Sequence, residues 1–154
     1  MSVSLTAMAS WHDFVVAEPQ MADSVRAAFA VRKHCTLATL RADGAPRISG
    51  TEVQFTDTDV CLGMMPDSMK AKDVLRDPRV AVHSPTVDPA DETHWVGEAK
   101  FSGIAELVPS SDPAGLQFRI AVTSVVFTGL TDSAEALRIQ LWRPEVGREV
   151  MVRQ

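Results

Sequence analysis

The chain has 154 residues, 45% hydrophobic and 23% charged, which suits one folded domain and excludes a disordered chain or two independent cores. A formal net charge of −5 argues against nucleic-acid binding, which needs a basic footprint to displace counterions. Six Phe, three Trp and no Tyr point to a mostly aliphatic core. Cys35 and Cys61 lie in apolar runs without the close pairing of a zinc or redox motif, and read as buried reduced thiols. The start "MSVSLTAMASWHDF" has no basic stretch leading into an apolar one. No window reaches the roughly 20 apolar residues of a membrane span, so a cytoplasmic protein with no membrane partner is expected.

The N-terminal segment, 1–33, reads as helical. Met21, Val25, Ala28 and Phe29 recur on one face over residues 10 to 33, Pro19 suits a first turn, and His34 suits the negative helix end. From Cys35 the pattern becomes extended. "CTLATLR" and "PRISGTEVQF" flank Asp43-Gly44, a strong hairpin signal, and a second turn at residues 56–59 leads into "VCLGM". "PDSMKAKDVLRDP" breaks the strand pattern: Ala71, Val74 and Leu75 follow helical spacing and Pro78 stops the helix. "RVAVHS" is a short strand and residues 85–97 an exposed loop. In "EAKFSGIAELV" the residues Ala99, Phe101, Gly103, Ala105 and Leu107 share one face, and "QFRIAVTSVVF", residues 137–142 and "GREVMVR" complete the strands. Seven or eight strands with tight turns and about three helices suggest an antiparallel sheet closed into a small barrel.

Two neighbouring segments carry the chemistry. Alternation puts Arg47, Ser49, Thr51, Val53 and Phe55 on one face of the second strand, polar at one end and apolar at the other. That pattern fits either a strand running from a rim into the core or a ligand cleft, and Gly50 favours the cleft because strand glycines mark close approach. Asp67 or Ser68 can cap the following helix, with Lys70 and Lys72 in its first turn. Lysines there are electrostatically disfavoured unless an anion sits at the helix start, the other account being solvated lysines paired with Asp73 or Asp77. Arg47, Ser49, Ser68, Lys70 and Lys72 are therefore candidates to share one phosphate.

The segments "HCTLATLRADGAPRISGTEVQF", "VCLGMMPDSMKAKDVLRDPRVAVHS" and "GEAKFSGIAELV" resemble the pyridoxamine 5′-phosphate oxidase-like flavin-binding split barrels. The likeness spans about residues 30 to 108 and is greatest to small actinobacterial-type members that use FMN or the deazaflavin coenzyme F-420. The resemblance implies a mainly β fold, a six-stranded antiparallel Greek-key split barrel over residues 34–154 of a single domain 1–154. It also implies a homodimer with the cofactor between the subunits. It places Arg47, Ile48, Ser49, Gly50 and Thr51 beside the cofactor, Ser68, Lys70 and Lys72 at its phosphate, Met64 and Met65 near its ring, and Trp142 in the ring environment from the partner. Pyridoxamine phosphate oxidases proper have arginine where this chain has Met69, and a basic, aromatic C-terminal signature that Trp142, Arg143 and Arg148 do not reproduce. Vitamin B6 oxidation is therefore not implied.

No clustered ligand spacing suggests a metal, His83 and His94 being dispersed, and neither a nucleophile elbow nor a dinucleotide fingerprint occurs. The expected function is FMN-dependent hydride transfer to or from a small molecule. The alternatives are an F-420-dependent reductase, a non-catalytic flavin carrier, or haem binding.

Overall fold

The computed structural model describes residues 7–154; residues 1–6 of the expected N-terminal segment lie outside the described residues. Three helices and nine strands form among the described residues: α1 (Trp11–Ala17), α2 (Pro19–Ala30), β1 (Cys35–Leu40), β2 (Pro46–Thr51), β3 (Val53–Phe55), β4 (Val60–Met64), α3 (Met69–Arg76), β5 (Arg79–His83), β6 (Glu98–Val108), β7 (Leu116–Leu130), β8 (Leu137–Arg143) and β9 (Gly147–Arg153). No described helix is long and apolar enough to cross a membrane.

The expected single helix over 10–33 is two. Ser10 and Asp13 form a reciprocal capping box that starts α1. Pro19 disfavours helical geometry at the residue before it, so Glu18 leaves the helix at φ −138° and Pro19 opens α2 at its first turn. Because α2 ends at Ala30, His34 lies beyond it and caps nothing there.

Antiparallel ladders run β2-β1-β5-β6-β7-β4-β3. The two ends of that path, β2 and β3, are halves of one bent strand interrupted at Glu52, so the path closes into a ring of six strands. The interruption also explains why nine strands form where seven or eight were expected. The first meander, β1 to β4, crosses through α3 to β5, which returns beside β1, and β6 and β7 then close against β4. That is the Greek-key order. β7 is long enough to serve two partners, its first residues pairing with β4 and its last with β8. The barrel is split there, and the β8–β9 hairpin extends from it.

Leu37, Leu62, Val82, Ile120 and Val122 give the barrel interior its aliphatic character. The core is mostly aliphatic, as the composition implies, with its aromatic rings gathered at the helix end. Trp11 lies 5.0 Å from Phe14 and 4.7 Å from Phe55, and Phe29 contacts Phe55 and Phe101. On β6 the expected inward face holds from Ala99 to Ala105, whereas Leu107 is 53% exposed where the strand runs toward the β6–β7 loop.

Candidate functional site

Helix α3 is held to the barrel by a buried carboxylate. Ser68 caps it, accepting from the Ala71 N–H at 3.2 Å while donating to the Met65 carbonyl at 2.7 Å. Asp73 is 1% exposed. It accepts from Arg47 Nε at 2.6 Å, Thr39 Oγ1 at 2.8 Å and an Arg76 Nη at 3.0 Å. Desolvation pushes its carboxyl up, but donors from Arg47, Thr39 and Arg76 outweigh that and bring it down to about 2. Arg76 also donates to the Leu40 carbonyl at 2.7 Å. One helix is thus tied to both β1 and β2.

That anchoring sets the position of Lys70, whose Nζ donates to the Gly50 carbonyl at 2.7 Å. Beside this contact opens a cleft of about 440 Å³, within the ~300–1,000 Å³ usual for small-molecule and cofactor sites. Gly50, Thr51 and Glu52 form its β2 side and Gly63, Met64 and Met65 its β4 side. Leu116, Gln117 and the loop before β7 form the far side.

Two features show that this space suits a bound group: the glycines of its strands and the cation at its edge. A Cβ built at Gly50 or Gly63 meets no atom within 4 Å, so both glycines leave room that a side chain would fill. Lys70 supplies a cation at the edge. Thr51 lines the cleft, but its side chain is 4% exposed and lies on the inward face opposite buried Cys35, so its unpartnered hydroxyl is turned to the barrel interior and not to the cleft.

Five sequence-predicted residues line this cleft: Gly50, Thr51, Met64, Met65 and Lys70. The others are placed elsewhere, and the five groups expected to share one phosphate do not converge. Arg47 turns inward and gives its Nε to Asp73. Ser49 shares the inward face, Ile48 stands on the outer face 75% exposed, and Lys72 is exposed on α3. Ser68 spends its hydroxyl on the helix cap. The pairings considered for Lys72 are taken by arginines: Asp73 by Arg47 and Arg76, Asp77 by Arg79 at 2.7 Å. Trp142 is buried in the core of its own chain, 5.1 Å from Phe14, and lines no part of this cleft.

Several lining residues escaped the sequence reading. Gly63 carries the same strand-glycine signal as Gly50, inside "VCLGM", and could have been found by it. His34 and Glu52 reach the cleft as a pair 3.5 Å apart. Gln54, Gln117 and the loop residues Ser110, Ser111 and Asp112 arrive through strand register, which no local pattern reveals.

No protein-family model and no curated protein matches the chain. Solved structures share its architecture. PhzG from Burkholderia lata 383, in complex with tetrahydrophenazine-1-carboxylic acid, aligns at TM-score 0.63 and 12% identity, covering 92% of each chain. A pyridoxamine 5′-phosphate oxidase-related, FMN-binding protein from Nostoc punctiforme aligns at 0.61 and 10% identity, covering 89% of this chain and 96% of that one. A heme-binding protein from Mycobacterium smegmatis aligns at 0.54 and 11%, covering 84% and 86%, and an F420 reductase at 0.52 and 15%, covering 66% and 94%. At such identities the likeness establishes the fold: this is a split barrel like those of the pyridoxamine 5′-phosphate oxidase-like FMN-binding proteins.

Proposed function

We propose that this split barrel is a flavin-dependent oxidoreductase that binds FMN in the cleft between β2 and β4 and acts on a small molecule. The observation that carries the reading is the cleft itself, open over Gly50 and Gly63 and edged by Lys70. A bound flavin supplies the hydride chemistry. The chain's own groups bind and orient. Lys70 neutralises the phosphate. Lys72 adds positive potential on the same helix. Met64 and Met65 give the ring an apolar flank, and the glycines let it approach the backbone.

The proposal includes a cytoplasmic homodimer in which a second copy closes the open side of the cleft. Ile48 at 75% and Met65 at 66% exposure offer apolar surface close to it. On a sizing column the protein should elute near twice its 16.7 kDa mass, and elution as a strict monomer rejects the shared cleft.

The deciding experiment is calorimetric titration of the purified protein with FMN and, separately, with coenzyme F-420. We expect micromolar or tighter binding of FMN. Tighter binding of the deazaflavin moves the assignment to an F-420-dependent reductase, binding without turnover on quinones and enones makes the protein a carrier, and binding of neither removes the proposal. A Soret shift on haem addition in place of flavin binding would favour the haem-binding alternative.

A further inference from the structure

β9 is the last strand of the hairpin that leaves the barrel. Its ladder runs to β8 alone, from Gly147 opposite Arg143 to Arg153 opposite Leu137, and its outer edge takes no strand among the described residues. An open edge presents a row of backbone donors and acceptors, which folded proteins ordinarily blunt with charge, proline, a bulge or a covering segment. β9 carries charges only toward its ends. Between them Val150, Met151 and Val152 are 50%, 48% and 58% exposed. Three consecutive exposed apolar residues, spread over both faces of a hairpin, point to a partner.

The edge is complementary to itself. Two antiparallel copies related by a two-fold axis at Met151 set Glu149 opposite the partner's Arg153, Arg153 opposite the partner's Glu149, Val150 opposite the partner's Val152 and Met151 opposite the partner's Met151. Opposite charges and apolar pairs across an antiparallel ladder stabilise it, and like charges there destabilise it. A one-residue slip in one direction sets Arg148 against the partner's Arg153, and in the other sets Arg153 against the partner's Val150, so charge selects the register centred on Met151. Arg153 is exposed and free to turn to a partner. Glu149 lies 3.3 Å from Arg143 of its own chain, but both are exposed, so that pair is weak and the carboxylate can accept a second guanidinium.

We propose that the β9 edge is a self-association surface whose occupant is β9 of a second copy, paired antiparallel in the register centred on Met151. The contact does not depend on the flavin reading, since β9 lines no part of the cleft. A seven-residue strand pairing along one edge buries far less than the ~1,600 Å² of a standard stable interface. The association is therefore concentration-dependent, and it adds to whatever contact closes the cleft.

Sedimentation equilibrium of the full-length protein, from micromolar to near-millimolar concentration, reads the contact. We expect the weight-average mass of wild type to rise twofold or more over that range. Glu149→Arg and Arg153→Glu each set like charges opposite one another, and each should stay at its dilute mass. An equimolar mixture of the two variants should regain the rise, because every opposed pair in the mixed assembly is again of opposite sign. The double variant Glu149→Arg/Arg153→Glu should regain it alone, and either recovery shows that the single variants fail by charge and not by misfolding. A wild-type mass that stays flat, single variants that still rise, or a mixture and double variant that both stay flat overturns the proposal. The dilute mass alone reports the shared cleft, so that reading and this one fail separately.

Discussion

Arg47 on β2 and Asp73 on α3, 26 positions apart, meet Nε to Oδ2 at 2.6 Å, and the contact makes a short crossover helix part of the barrel wall. Thr39 and Arg76 complete the carboxylate's shell. The helix carries Lys70, so the pair also sets where a cation stands beside the cleft.

The pair has a pH signature. The Asp73 carboxyl sits at about 2 in the folded chain, below the ~3.9 of an unfolded aspartate. A depressed carboxyl adds stability above its unfolded value and loses it as pH falls toward the folded one. The contribution is on the order of 2–3 kcal/mol at pH 7 and is lost progressively as pH falls from about 4 toward 2. Urea unfolding of wild type and Asp73→Asn should therefore give curves that differ most near neutrality and approach each other between pH 4 and 2. A gap independent of pH would show that the carboxylate's charge contributes nothing.

A second prediction concerns close packing on β6. A Cβ at Gly103 would stand 2.5 Å from Cγ2 of Ile120 and press on the Ala121 carbonyl, where the β6–β7 ladder shifts register. The obstruction includes backbone, which cannot swing away. Gly103→Ala should lower stability by about 1–3 kcal/mol, read as a lower urea midpoint. An unchanged midpoint would mean that the bulge relaxes without cost.

What the sequence revealed and what it concealed divide along sequence separation. Asp43-Gly44, flanked by alternating strands, marks the β1–β2 hairpin, and Ser68 followed by Ala71 and Val74 marks α3, because both signals are complete within a few residues. The break at Glu52 is invisible in "PRISGTEVQF", since it arises from the strand changing partners from β1 to β4. Asp73 reads as a charge on a solvated helix face, yet Thr39 and Arg47 arrive from distant strands to bury it. Arg47 is legible as a cation sharing a strand face with Ser49 and Thr51, but not as one turned inward and already engaged by Asp73. The β7 wall of the cleft, with Asp112 and Gln117, joins Gly63 only through register between strands some fifty residues apart.

Lys70→Ala isolates the cation of the proposed phosphate site. The ammonium now rests on the Gly50 carbonyl, a partly exposed contact whose loss should change stability little. A charged hydrogen bond to a phosphate is worth roughly 1.5 to 3 kcal/mol, so FMN affinity should fall about ten- to a hundredfold in calorimetry. Riboflavin, which lacks the phosphate, should bind wild type and variant alike. Equal losses for both ligands would mean that Lys70 shapes the cleft through Gly50 and does not read an anion.

Gly63→Val tests the floor of the cleft without touching any polar group. Gly63 is an exposed strand residue whose added Cβ meets nothing within 4 Å, so the fold should accept a β-branched side chain there with no loss of thermal stability. The same side chain would occupy space between the Glu52 and Gln117 sides of the cleft. If a flavin ring lies over this strand, FMN affinity should drop at least tenfold while the melting temperature stays level or rises slightly. Both quantities come from one preparation by calorimetric titration and thermal unfolding. Full FMN affinity in a well-folded Gly63→Val protein would place the ring elsewhere, because a valine at this position cannot swing out of a group packed on its own backbone.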